Sequence, residues 1–151
     1  MTTVETVRYA QPDELRTLEE LQRRACLAVD AFRDQILDHP DTFRVSVVAI
    51  RDQRVRVATG GGRVMGFATV MPLDDESSEF EALFVDPELI GSGVGEALVD
   101  DAVAIARDEG VARLEATAVP HAQEFYAKAG FAETGPVETR FGPAVRMARA
   151  L

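Results

Sequence analysis

Apolar and polar positions alternate along this chain in two periods, and the switches between them mark out its elements. Leu15, Leu18, Leu21, Ala25 and Ala28 recur three or four residues apart, which predicts a helix with one apolar face. Gln11-Pro12-Asp13-Glu14 before it suits a helix start, with proline early and acids in the first turn. Thr6 to Tyr9 reads as a short strand ahead of that. Asp30 to Asp52, containing Ile36, Leu37, His39 and Pro40, reads as a broken second helix and loop. Arg54 to Ala58 then alternates as a strand, Gly60-Gly61-Gly62 supplies a tight turn, and Val64 to Met71 completes a hairpin. Asp74-Asp75-Glu76-Ser77-Ser78 is a polar, acidic loop, and Phe80 to Val85 is the next strand, ending at Pro87.

A helix follows from Gly93 to about Asp108, with Val94, Leu98, Ala102 and Ile105 on one side and Gly110 as its stop. Leu114 to Ala118 is a strand pattern, Pro120 to Ala129 a helix closed by Gly130. Phe131 to Thr139 and Pro143 to Ala150 read as terminal antiparallel strands. This order implies an α/β chain with a central mixed sheet and helices on both faces. Its 151 residues, 46% of them apolar, suit a single domain over 1–151.

Charge and cysteine content narrow the function classes. A formal charge of −10 argues against nucleic acid and anionic lipid as partners, since both need a basic field, and favours a cationic substrate. Met1 to Glu5 lacks a basic segment followed by an apolar run, and nowhere do 18 apolar residues run together, so the expectation is a cytoplasmic protein with no membrane partner. The single Cys26 rules out an internal disulfide and offers no metal spacing. On the apolar side of a helix it reads as a small core residue. No metal is expected.

The strongest chemical signal is the run Leu83-Phe84-Val85-Asp86-Pro87-Glu88-Leu89-Ile90-Gly91-Ser92-Gly93-Val94-Gly95-Glu96-Ala97-Leu98. A strand leads into three alternating glycines and then an amphipathic helix, whose unpaired N–H groups make a site for a pyrophosphate. A phosphate loop of the Walker type needs Lys and Ser/Thr after its last glycine, where this chain has Glu96 and Ala97. The dinucleotide spacing G-x-G-x-x-G also fails, because its last glycine would fall on Glu96 or Leu98.

With Val85-x-Pro87 before it, the loop resembles the acyl-CoA-binding motif of GCN5-related N-acetyltransferases. A second stretch, Pro120-His121-Ala122-Gln123-Glu124-Phe125-Tyr126-Ala127-Lys128-Ala129-Gly130-Phe131, is similar to that family's Phe-Tyr and Ala-Gly-Phe signature. Together with the strand at Val145-Arg146-Met147, the resemblance covers residues 63–151. It implies a mostly antiparallel central sheet and direct acetyl transfer from acetyl-CoA to a primary amine within a ternary complex. Phe84 and Val85 would offer main-chain groups to pantetheine, and the amides of Gly91, Ser92, Gly93, Val94, Gly95 and Glu96 would cradle the pyrophosphate.

Tyr126 matches the phenol that protonates the departing thiolate, with Phe125 the neighbour expected to point into the core. Glu79 and Glu81, two residues apart and so on one strand face, are candidate bases for the amine, as Glu79 aligns with a base of some family members. His121 reads as a solvated surface group. Two positions depart from the family pattern: Ile90 replaces a usual Gln or Arg, and Val119 replaces a frequent Asn, which implies weaker cofactor binding. A catalytically degenerate CoA-binding sensor or interaction module is the alternative reading. The acceptor class spans small-molecule and peptide amines. Dimerisation is common among similar proteins, and a homodimer is one assembly the resemblance allows.

Overall fold

The computed structural model describes residues 3–39 and 44–151, so Pro40 lies outside the described residues. Seven strands are hydrogen-bonded in the order β1-β2-β3-β4-β5-β7-β6, a mostly antiparallel sheet in which β4 (Ser77–Val85) and β5 (Arg113–Ala118) run parallel. The other strands are β1 (Thr6–Tyr9), β2 (Val55–Gly60), β3 (Arg63–Pro72), β6 (Ala132–Thr139) and β7 (Gly142–Ala150). The helices are α1 (Leu15–Leu27), α2 (Asp30–Asp38), α3 (Val47–Arg51), α4 (Val94–Asp108) and α5 (Gln123–Lys128). No described helix is long and apolar enough to cross a membrane. By contacts the chain divides into two units, Met1–Thr69 with Ala82–Leu98 and Val70–Glu81 with Val99–Leu151.

In the first unit, Leu18 and Leu21 of α1 pack with Ala49 and Ile50 of α3, Val55 and Val57 of β2 and Phe67 of β3. Period-2 alternation puts Val55 and Val57 on one face of their strand, which is why this short, charged segment still holds a core position. The buried stripe of α1 is Leu18, Leu21, Gln22 and Cys26. It is rotated from the expected one: Ala25 is half-buried and Ala28, the residue capping the helix end, is exposed. Cys26 is buried as expected, and burial pushes its thiol up to about 11. The stretch expected as a broken helix and loop holds two short helices, α2 and α3, the second capped by the Ser46 hydroxyl, which accepts from the Ala49 N–H at 3.0 Å.

In the second unit, β4 starts three residues earlier than its apolar run suggests. Ser77 and Ser78 pair with Arg113 and Leu114 in the parallel ladder, and both serines are buried. Burial of Ser77 is tolerated because its hydroxyl donates to Asp74 Oδ1 at 2.8 Å. Asp74 also accepts from the Glu76 N–H at 2.9 Å, and these bonds hold its carboxyl below the usual range. Phe80, Leu114, Ala116, Ala118, Tyr126, Phe131 and Met147 are buried in this unit.

Candidate active site

The glycine loop is built outward from Asp86. Its N–H donates to the Met65 carbonyl at 2.9 Å, and its Oδ1 accepts from the Glu88 N–H at 3.1 Å, capping a 3-10 turn over Pro87–Leu89. Leu89 N–H returns to the Asp86 carbonyl at 2.8 Å, and the Leu89 carbonyl accepts from both the N–H and the hydroxyl of Ser92. Gly91 and Gly93 then take φ of +88° and +90°, a region that β-carbons disfavour. A β-carbon at either would have no heavy atom within 4 Å, so backbone conformation, not crowding, demands glycine there.

The loop ends in α4. Its first main-chain bond runs from the Ala97 N–H to the Gly93 carbonyl at 3.0 Å, which leaves the amides of Val94, Gly95 and Glu96 without an acceptor one turn back. These three donors sit at the positive end of the helix dipole. Gly66 of β3 allows the close approach that seats this helix start: an added β-carbon would lie 2.7 Å from the Phe84 carbonyl oxygen and 2.9 Å from Val94 Cγ1. Phe84 is half-buried, its ring 5.6 Å from that of Phe67.

In the second unit, Tyr126 and Phe125 exchange the places expected of them. Tyr126 is buried at 7% exposure and Phe125 is only half-buried. The tyrosine ring lies against Phe80, Phe125 and Phe131, at centroid distances of 6.3, 5.4 and 5.2 Å. Burial pushes the phenol above its ordinary pKa. Among the described residues no fully buried side-chain N or O lacks a hydrogen-bond partner. The Tyr126 hydroxyl donates to no side chain or main-chain group among the described residues. That is a protonated donor on a rigid, apolar mount.

Glu79 and Glu81 lie on the opposite face of β4 from Phe80, and therefore from the face on which Tyr126 packs. Glu79 is half-buried with its carboxylate 3.7 Å from the Arg146 guanidinium. Arg146 also donates to Thr117 Oγ1 at 2.8 Å and Glu115 Oε1 at 3.2 Å, and Glu115 in turn is 3.4 Å from Arg113. Glu81 is exposed and has no ion pair or hydrogen bond among the described residues. The two carboxylates are therefore inequivalent, one held in a guanidinium network and one open.

His121 is exposed, and partial desolvation lowers its pKa. Ile90, ahead of the first glycine, is 73% exposed. Val119 occupies the cap position of the 3-10 turn Pro120–Ala122 with no side-chain cap bond, where a polar residue would supply one. Asp86, Arg24, Arg63 and Arg146 were not singled out from sequence. The Asp-Pro pair is a readable cap signal for the first, but nothing local marks the three arginines.

The model of the acetyltransferase (GNAT) domain family matches residues 17–150. The chain belongs to this family. It is 33% identical over 91 residues to uncharacterized N-acetyltransferases of Mycobacterium bovis and Mycobacterium tuberculosis, the match spanning 58% of this chain and 58% of each relative. The fold is similar to the PaiA N-acetyltransferase of Thermoplasma acidophilum in complex with coenzyme A, with a TM-score of 0.77 at 17% identity over 97% of this chain and 98% of that one. It is also similar to a GCN5-related N-acetyltransferase from Rhodopseudomonas palustris, with a TM-score of 0.75 at 20% identity over 100% and 98%. The GNAT fold expected from the glycine loop and the Phe-Tyr segment is thus the fold observed, with its seven-stranded, mostly antiparallel sheet.

Proposed function

We propose that this chain is an acetyl-CoA-dependent N-acetyltransferase acting on a primary amine by direct transfer. The observation that carries the reading is the trio of open amides at Val94, Gly95 and Glu96 behind two left-handed glycines, in a chain of the GNAT family. A pyrophosphate accepts from such amides without needing a basic surface, which matters in a protein of net charge −10. The amides of Gly91 and Gly93 complete the cradle, while the Ser92 N–H is spent inside the loop on the Leu89 carbonyl. Phe84 and Val85 lie beyond Phe80, the last residue of β4 in register with β5, and serve pantetheine through their main chain.

In the reaction the neutral amine attacks the thioester carbonyl, giving a tetrahedral intermediate whose oxyanion is stabilised by a main-chain N–H near Val85. Collapse breaks the C–S bond, and Tyr126 donates its proton to the departing sulfur. An ordinary thiol has a pKa of about 8.5 and a phenol about 10, so that transfer is uphill by about 1.5 units when both are solvated. Burial raises the phenol further, which keeps it protonated until the C–S bond breaks and negative charge builds on the sulfur beside it. Glu79 or Glu81, directly or through water, takes the proton released by the amine.

The test is release of free thiol from acetyl-CoA in the presence of small amines and peptide amino termini. Amine-dependent release supports the reading. Tight CoA binding without turnover on any amine would mark the chain instead as a CoA-binding module, the reading favoured by the apolar Ile90 and Val119.

A further inference from the structure

We propose that Asp86, clamped by Arg24 and Arg63, is the positioning residue that holds the glycine loop in its cofactor-accepting form. This rests on the reading of that loop as a coenzyme A site. Among the described residues, Asp86 is the only charged side chain in the buried polar set, at 2% exposure. Its Oδ2 takes both guanidinium groups, Arg24 from the last turn of α1 at 3.0 Å and Arg63 from the first residue of β3. The arginine side chains are themselves about half exposed, 54% and 43%, so only the carboxylate is withdrawn from water.

The other carboxylate oxygen and the main chain of Asp86 carry the loop. Oδ1 accepts from the Glu88 N–H, the carbonyl from the Leu89 N–H, and the Leu89 carbonyl from Ser92. Gly91 lies inside that last closure, and Gly93, one residue later, accepts the first main-chain bond of α4. A continuous ladder therefore runs from the doubly clamped carboxylate to the amides at the helix start. A carboxylate fixed on one oxygen by two arginines cannot rotate, so its second oxygen stays on the Glu88 amide. Without the clamp, the turn that aims the loop loses its fixed end. A merely stabilising ion pair would have no reason to share its carboxylate with this turn. Arg24 further ties the loop to α1, two residues ahead of buried Cys26.

The test compares Asp86→Asn, Arg24→Gln and Arg63→Gln with Glu14→Gln. The last breaks the Arg8–Glu14 pair, at 2.8 and 2.9 Å, and leaves the loop untouched. Coenzyme A affinity is measured by calorimetry below each variant's unfolding transition, with hydrogen exchange at the amides of residues 91–96 in the free protein. We expect Asp86→Asn to weaken coenzyme A binding about tenfold and each arginine variant about threefold, with faster exchange in the loop, and Glu14→Gln to change neither. Affinity within twofold of the parent in both arginine variants and in Asp86→Asn would overturn the proposal, as would equal weakening in Glu14→Gln. Should the parent protein bind no coenzyme A at millimolar concentration, the reading of the loop falls first and this assignment with it.

Discussion

Tyr126 meets Phe131 edge-on, with ring centroids 5.2 Å apart and planes at 67°, and this contact fixes a phenol in an aromatic cluster. The cluster separates two jobs. The ring contributes packing, and the hydroxyl is the part that the proposed mechanism uses.

Tyr126→Phe keeps every ring contact and removes only the oxygen. Turnover should fall about a hundredfold or more, with stability within about 1 kcal/mol of the parent and coenzyme A affinity retained. Tyr126→Ala, by contrast, should cost about 3–5 kcal/mol through the cavity it opens. Steady-state kinetics and urea unfolding of both variants check this. Undiminished turnover in Tyr126→Phe would remove the phenol from the mechanism.

The two carboxylates of β4 should differ in consequence. A base must give up its counter-ion to take a proton from an ammonium, and Glu79 is held by Arg146 whereas Glu81 is open. Glu81→Gln is therefore expected to lower kcat/KM about tenfold or more, and Glu79→Gln less. The pH profiles of kcat/KM for the two variants decide the matter, and the reverse ranking would return the base to Glu79.

Gly66→Ala forces a β-carbon to 2.7 Å from the Phe84 carbonyl and 2.9 Å from Val94 Cγ1. A main-chain oxygen cannot step aside as a flexible side chain can. We expect a loss of about 1–3 kcal/mol by urea unfolding, together with weaker coenzyme A binding, because Val94 is the first residue of α4. Wild-type affinity with reduced stability would show that the strand, not the loop, absorbs the strain.

Alkaline sensitivity follows from Cys26. Its thiol titrates near 9.0 when unfolded and at about 11 when folded, so the folded state binds the proton more tightly. The stabilisation is fully present below pH 9 and is lost as pH rises from 9 towards 11. Tyr126, shifted in the same direction, extends the fall to higher pH. Denaturant midpoints measured from pH 7 to 11 should decline above pH 9, less steeply in Cys26→Ala; an unchanged slope in that variant would contradict the assignment.

What was legible in the sequence was what is local. Alternating glycines permit a left-handed backbone whatever surrounds them, and Gly91 and Gly93 do take left-handed φ. The strand and helix order likewise follows from periodicity. The early start of β4 was hidden because Ser77 and Ser78 are polar, and only a partner strand 36 residues on makes them strand. The clamp on Asp86 was hidden for the same reason, its arginines lying 62 and 23 residues away. The places of Phe125 and Tyr126 were hidden because the tyrosine ring packs against Phe80 and Phe131, partners that are not marked by the local pattern. Between residues 30 and 52 the helices, nine and five residues long, are too short to show a clear period.

The central claim is that the glycine loop takes the pyrophosphate of an acyl-CoA, and thermal unfolding with and without saturating acetyl-CoA tests it most directly, with NAD as a second pyrophosphate ligand. A ligand at about 100 times its dissociation constant adds about 2.7 kcal/mol, and each kcal/mol raises the midpoint by about 2–4 °C at this size. The account predicts a rise of about 5–11 °C with acetyl-CoA and none with NAD. An equal rise with NAD, or no rise at millimolar acetyl-CoA, would contradict it.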